Sequence, residues 1–179
     1  MWKTIKSEKL IDTFLVSVRK DAVMLPDGAI IDDFYTVTIP DAAMIAAITV
    51  QGDILLKSEY RYAIGESVIE CPAGMFDYNE NDPLLVAKRE LLEETGYSSD
   101  NWIYLGPTLE STSKLTNRMH LFLAKECKCI SEQNLDENEY LDVISVSLKD
   151  AVQMVMDGKI NANSSAHLIL KVNRLLGGK

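Results

Sequence analysis

The stretch from Asp82 to Gly96, "DPLLVAKRELLEETG", constrains the fold more than any other part of the chain. Asp82 is a good N-cap, Pro83 a good first helical residue, and Gly96 suits the left-handed position that stops a helix. These signals predict a helix over 83–95. On a wheel of ~100° per residue, Leu84, Leu85, Leu91 and Leu92 share one arc. Glu90, Glu93 and Glu94 share the opposing arc, with Val86 on the acidic side and Lys88 at the apolar edge. Arg89 lies one turn before Glu93 and can pair with it. Three acids thus sit near the C-terminal end of a helix, its negative pole. A solvated face is the ordinary use of such a pattern. A bound dication is the other, and oxygen ligands of this kind suit Mg²⁺ or Mn²⁺. The "CPAG" loop at 71–74 can bring a backbone carbonyl to the same place.

Around this helix the chain is rich in strands. "TFLVSVRKDAVML" and "AIIDDFYTVTI" flank the turn residues Pro26, Asp27 and Gly28, predicting a hairpin within residues ~10–40. "AAMIAAITV" and "DILLKSEYRY" flank Gly52 and Asp53, a second hairpin. Further strands are expected at "SVIE", "WIYLGPTL", "RMHLFLAKECKCI" and "LDVISVSL". A helix is expected near 148–157, ending at Gly158, and a terminal helix ends at Gly177. No regular βαβ alternation is present, so a mixed α+β layered domain is favoured over a doubly wound sheet.

Composition narrows the function classes. The net charge is −9 and no Lys/Arg-rich block occurs, which argues against gripping nucleic acid through a broad basic surface. Anionic substrates stay open if cations mediate the contact. No apolar run approaches the ~20 residues of a membrane span, and "MWKTIKSEKLIDTF" lacks a signal peptide's apolar stretch, so a cytoplasmic protein is expected. The three cysteines, Cys71, Cys127 and Cys129, do not make a full disulfide framework. With only two histidines beside them, they read as buried or idle thiols rather than a zinc site.

The helix and the loop before it resemble the Nudix box, G-x5-E-x7-R-E-U-x-E-E-x-G-U, where U is a bulky apolar residue. Gly74 opens it; Arg89-Glu90-Leu91, Glu93-Glu94 and Gly96-Tyr97 match its second half in order and spacing. The first half departs: eight residues, not seven, separate Glu80 from Arg89. Aligned through Pro83, Asn81 takes the first glutamate's place and the extra residue lies in the "FDYNEN" loop. Four further segments resemble the ADP-ribose (ADP-sugar) pyrophosphatase branch: "LLKSEYRYAIGESVIECPAG", "LESTSKLTNRMHLFLA", "LDENEYLDVISVSLKDA" and "DGKINANSSAHLILKV".

The resemblance implies an α/β/α sandwich with a mixed sheet over 41–179, plus an N-terminal antiparallel hairpin extension over 1–40 that serves dimerisation. It implies Mg²⁺ (or Mn²⁺) held by Glu90, Glu93, Glu94 and the Ala73 carbonyl, with Glu139 nearby. Arg89 orients a glutamate. Glu137, in "DENE", is the implied general base. Arg61 is placed against the diphosphate, and Glu70 on the adenine or terminal sugar side. Met75 packs on the substrate or in the core. Ser111 and Asn117 line the ribose–phosphate side, in a loop that departs from the family pattern at Thr112, Ser113, Lys114 and Asn117. The implied activity is hydrolysis of ADP-ribose or a related nucleoside diphosphate sugar to AMP and ribose 5-phosphate by a homodimer. GDP-mannose or a dinucleotide is an alternative substrate, and a non-catalytic nucleotide-sugar sensor an alternative role.

Overall fold

The computed structural model describes residues 1–178, which fall into two compact units. The smaller comprises Met1–Asp41 and Leu109–Arg118. Three strands, β1 (Lys3–Asp12), β2 (Ser17–Met24) and β3 (Ile30–Thr38), form an antiparallel sheet in the order β1-β2-β3. The expected hairpin is β2–β3, closed at Gly28, whose φ of 89° is a glycine conformation. β1 is an addition that alternation did not reveal: "KTIKSEKLID" is largely polar, and pairing with β2 along its length makes it a strand. Asp21 is buried on β2, accepting from Ser7 (2.6 Å) and Arg19 (2.8 Å). These bonds, Ser7 first, hold its carboxyl below the usual range. The 109–118 segment joins this unit through backbone bonds between Val37 and Lys114 (2.8 Å) and Thr116 and Val37 (3.2 Å).

The larger unit carries β4 (Ala42–Thr49), β5 (Asp53–Arg61), β6 (Glu66–Glu70), β7 (Ala73–Met75), α1 (Pro83–Thr95), β8 (Tyr97–Ser98), β9 (Asn101–Thr108), β10 (Met119–Cys129), β11 (Leu141–Ser147), α2 (Leu148–Met156) and α3 (Asn163–Leu175). Its sheet runs β11-β5-β4-β10-β8, with β6 on β5, β7 on β4 and β9 on β10. β10 is parallel to β4 and the other pairs are antiparallel, giving the mixed sheet expected.

β4 shows why the unit has three layers. It is apolar at nearly every position, and its neighbours alternate between two cores. Met44 and Ala46 join Leu121, Leu123, Ala151, Leu168, Ile169 and Val172 on the side of α2 and α3. Ala43, Ile45 and Ala47 join Val86, Ala87, Leu91 and Phe122 on the side of α1. A strand buried on both faces needs cover on both, and the helices supply it.

α1 begins and ends where expected. Asp82 accepts from the Leu84 amide (2.9 Å), and Gly96 adopts φ 74°. A side chain at Gly96 would also strike the Ser131 carbonyl. The wheel, however, needs correction. Its buried residues are Val86, Ala87, Glu90, Leu91, Glu94 and Thr95, while Leu85 and Leu92 are exposed. Val86 on the acidic side was therefore the informative residue. Val86, Glu90 and Glu94 follow one another turn by turn, so two of the acids point inward with it.

Candidate active site

Two carboxylates, Glu90 and Glu94, lie on the inward face of α1. Glu90 is 7% exposed and Glu94 only 1%. A buried carboxylate needs a partner or it gives up its charge. Burial pushes Glu90 up to about 7 against the pull of Arg89, and Glu94 and Glu93 add to the rise. Glu94 is also drawn up to about 7, chiefly by burial, with the Lys57 ammonium and the Ala73 amide opposing and Glu139 contributing.

Each carboxylate has its own setting. Glu90 lies against Gly74, where a Cβ would collide with its carboxylate, so only glycine leaves that space open. Glu94 accepts from the Ala73 amide (3.0 Å) and pairs with Lys57. Lys57 also bonds the Ala73 carbonyl (3.3 Å) and lies 3.2 Å from Glu59. Its side chain is 2% exposed. Burial works against the Lys57 charge, but Glu94 and then Glu59 more than offset it, and the ammonium is held above its usual pKa.

Lys57 went unnoticed in the sequence, although a signal was there. Alternation along β5 puts Leu55, Lys57, Glu59 and Arg61 on one face, and Leu55 packs in the α1-side core. A lysine on that face lies under whatever the covering helix turns inward.

Arg89 fills the role expected of it. Its guanidinium binds both Glu80 oxygens (3.0 and 2.9 Å), Glu90 (2.7 Å), Glu93 (3.0 Å) and the Met75 carbonyl (3.2 Å). These acids, Glu80 first, raise the guanidinium further still, so it is a permanent cation that orients three glutamates.

With this geometry in view, comparison with known proteins is decisive. The NUDIX domain profile matches residues 38–168, and that of the nucleoside diphosphate sugar hydrolase N-terminal domain matches residues 2–37. The chain belongs to the Nudix family. Its relatives include a methanol dehydrogenase activator of Bacillus methanolicus, 34% identical over 88% of this chain and 85% of the relative. An ADP-ribose pyrophosphatase of Bacillus subtilis (strain 168) is 30% identical over 93% of this chain and 90% of its own length. A GDP-mannose pyrophosphatase of Yersinia pestis (strain Pestoides F) is 29% identical over 66% of this chain and 63% of its own length. The crystal structure of an ADP compounds hydrolase superposes with a TM-score of 0.83, at 21% identity, covering 98% of this chain and 94% of that one. The fold is thus the Nudix fold, and the protein is a Nudix hydrolase.

Glu80, not Asn81, makes the paired contact with Arg89, and Asn81 is exposed. Glu80 keeps this contact although eight residues separate it from Arg89.

The other Nudix positions are unevenly gathered. Arg61 binds Glu70 through Nε (2.8 Å) and Nη2 (2.6 Å), and Glu59 through Nη1 (2.9 Å). Arg61 and Glu70 are thus one ionic unit. Met75 is exposed rather than in the core. Glu137 is exposed in the loop before β11, while Glu139 closes a turn with Asp136 and is felt by Glu94. Ser111 and Asn117 belong to the smaller unit. Asn117 is buried with its Oδ1 unpartnered.

A divalent metal is what this family implies, and the donor chemistry fits it. Glu90, Glu94 and the Ala73 carbonyl are hard oxygen donors side by side, with Gly74 leaving the space beside Glu90 open. Among the described residues, no three acids converge on one point as a finished cage. Arg89 holds Glu93, and Lys57 holds Glu94 and the Ala73 carbonyl.

Proposed function

We propose that this chain hydrolyses the pyrophosphate bond of a nucleoside diphosphate sugar, ADP-ribose foremost, releasing AMP and ribose 5-phosphate. The observation that carries this is the pair of buried carboxylates, Glu90 and Glu94, turned inward against the Ala73–Gly74 turn. The relatives named for ADP-ribose support the substrate, and those named for GDP-mannose keep a GDP-sugar as the alternative.

In this reading Glu90, Glu94 and the Ala73 carbonyl hold Mg²⁺ or Mn²⁺, with Glu93 and Glu139 completing the set. When bound, the ions neutralise the diphosphate and acidify water. Arg61 keeps N–H donors beyond those given to Glu59 and Glu70, and directs them to the diphosphate. Glu70 sets the angle of Arg61 and faces the nucleoside or sugar end. Met75 offers apolar surface to the substrate. Glu137 takes the proton from the attacking water; its exposed loop suits delivery of a base only when substrate is present. Attack on one phosphorus expels the other phosphate, and no covalent intermediate is needed.

The protein works in the cytoplasm as a homodimer joined through residues 1–40. Support comes from β1, exposed at every position while carrying Ile5, Leu10 and Ile11. No helix among the described residues is long and apolar enough to cross a membrane.

The test is a panel of ADP-ribose, GDP-mannose and a dinucleotide with Mg²⁺, scored for AMP or GMP release, run beside Glu94→Gln. Turnover of ADP-ribose, lowered roughly 100-fold or more in a folded Glu94→Gln, is the expected result. Undiminished turnover in the variant would remove Glu94 from the chemistry. Tight ADP-ribose binding without turnover under any dication would make the protein a sensor.

A further inference from the structure

A lysine side chain 2% exposed, in the middle of a sheet and under a catalytic helix, is an unusual expense for a core. An ammonium has three protons, and Lys57 meets three acceptors: Glu94, the Ala73 carbonyl at 3.3 Å and Glu59 at 3.2 Å. Two of these, Glu94 and the Ala73 carbonyl, are the groups assigned above to a divalent ion. The second oxygen of Glu94 is engaged by the Ala73 amide (3.0 Å), so Lys57, Glu94 and Ala73 form one closed ring of polar contacts.

We propose that Lys57 is a resident cation of the carboxylate cluster, which competes with divalent metal for Glu94 and the Ala73 carbonyl and so sets how tightly metal binds before substrate arrives. The inference rests on the reading of Glu90, Glu94 and Ala73 as metal donors. Its physical basis is charge. Without metal, a buried Glu94 beside Glu90 would face like charge with no counter-ion, and Lys57 supplies one. A dication reaching the same oxygens meets that ammonium, which is too enclosed to retreat to water. Metal therefore binds weakly to the free protein. A diphosphate brings the additional negative charge that favours the dication, so metal and substrate load together.

The experiment measures Mn²⁺ affinity of the full chain by electron paramagnetic resonance, without substrate, in wild type, Lys57→Met and Glu90→Gln. Methionine keeps the length of the stem and removes the charge. The expected result is a Kd for Lys57→Met at least tenfold tighter than wild type, a lower Tm in chelator, and a larger rise in Tm on adding Mn²⁺. A lysine that only props the strand would lower Tm equally with and without Mn²⁺ and leave Kd unchanged, and that outcome overturns the inference. Glu90→Gln separates the two readings. If it loses Mn²⁺ while Lys57→Met matches wild type, the lysine inference alone falls; if neither wild type nor Lys57→Met binds Mn²⁺, both fall. Should Lys57→Met not fold, wild type labelled with ¹⁵N-lysine gives the answer. The Lys57 Nζ resonance must shift in step with Mg²⁺ binding, and a resonance that stays in place as Mg²⁺ saturates refutes competition.

Discussion

β4 and β1 are strands of 8 and 10 residues with opposite surroundings. Seven of the eight residues of β4 are buried, and every residue of β1 is exposed. Both owe their hydrogen bonds to neighbouring strands, so backbone pairing alone makes a strand in either setting. What differs is cover. β4 has helices packed on both faces, whereas β1 displays Ile5, Leu10 and Ile11 to solvent. The lesson is that the larger unit covers its central strand with its own helices, while the smaller unit leaves apolar side chains of β1 exposed.

That contrast makes its sharpest demand on the core. Ile45→Ala, in the centre of β4, should cost about 2–5 kcal/mol in urea unfolding, because it removes a fully buried side chain and leaves a cavity. Exposed positions of β1 should cost the folded chain under about 0.5 kcal/mol. Equal losses in the two strands would break the comparison.

Next in size is an effect on chemistry. Gly74→Ala puts a methyl group where the Glu90 carboxylate lies, and should lower kcat at least about tenfold while leaving the circular dichroism spectrum intact. Unchanged turnover would mean that the position of Glu90 is unimportant.

On the other side of the comparison, Ile5→Asp and Leu10→Asp test β1 one side chain at a time. At least one should weaken self-association about tenfold, measured by sedentation equilibrium or light scattering across dilution. If both associate like wild type, β1 is exposed for some other reason.

The smallest effect is a pH dependence confined to the smaller unit. Asp21 has a depressed folded pKa, so its contribution is present above the unfolded value near 3.8 and is lost as pH falls through the folded one. Asp21→Asn should therefore reduce stability at neutral pH, and the gap from wild type should close toward strong acid. A gap that widens in acid would reverse the assigned sign.

Much of the site was legible because its logic is local. The N-cap, the helix stop and the spacing of Glu90, Glu93 and Glu94 lie within one helix, and backbone geometry alone relates them. The rotation of that helix was not legible. Counting leucines turned Leu85 and Leu92 inward, but the structure exposes both and buries Glu90 and Glu94. Hydrophobicity ranks side chains by their cost in isolation, and a partner offsets part of that cost for a buried carboxylate. The Glu80 contact with Arg89 likewise escaped counting, since spacing along the chain does not say how a loop folds back on a helix.

The sequence by itself determined the strand-rich α+β layering, the limits of α1, the Nudix box and the identity of the acids. The layering and the limits of α1 follow from periodicity and capping, which act over a few residues; the box was read by its resemblance to a known pattern. Tertiary structure alone decided that Lys57 lies beneath Glu94, that Arg61 and Glu70 form one ionic unit, and that Ser111 and Asn117 belong to a different unit from the acids. Lys57 and Glu94 are 37 residues apart. No local rule reaches that far; only the packing of α1 across β5 brings a buried charge to its counter-charge.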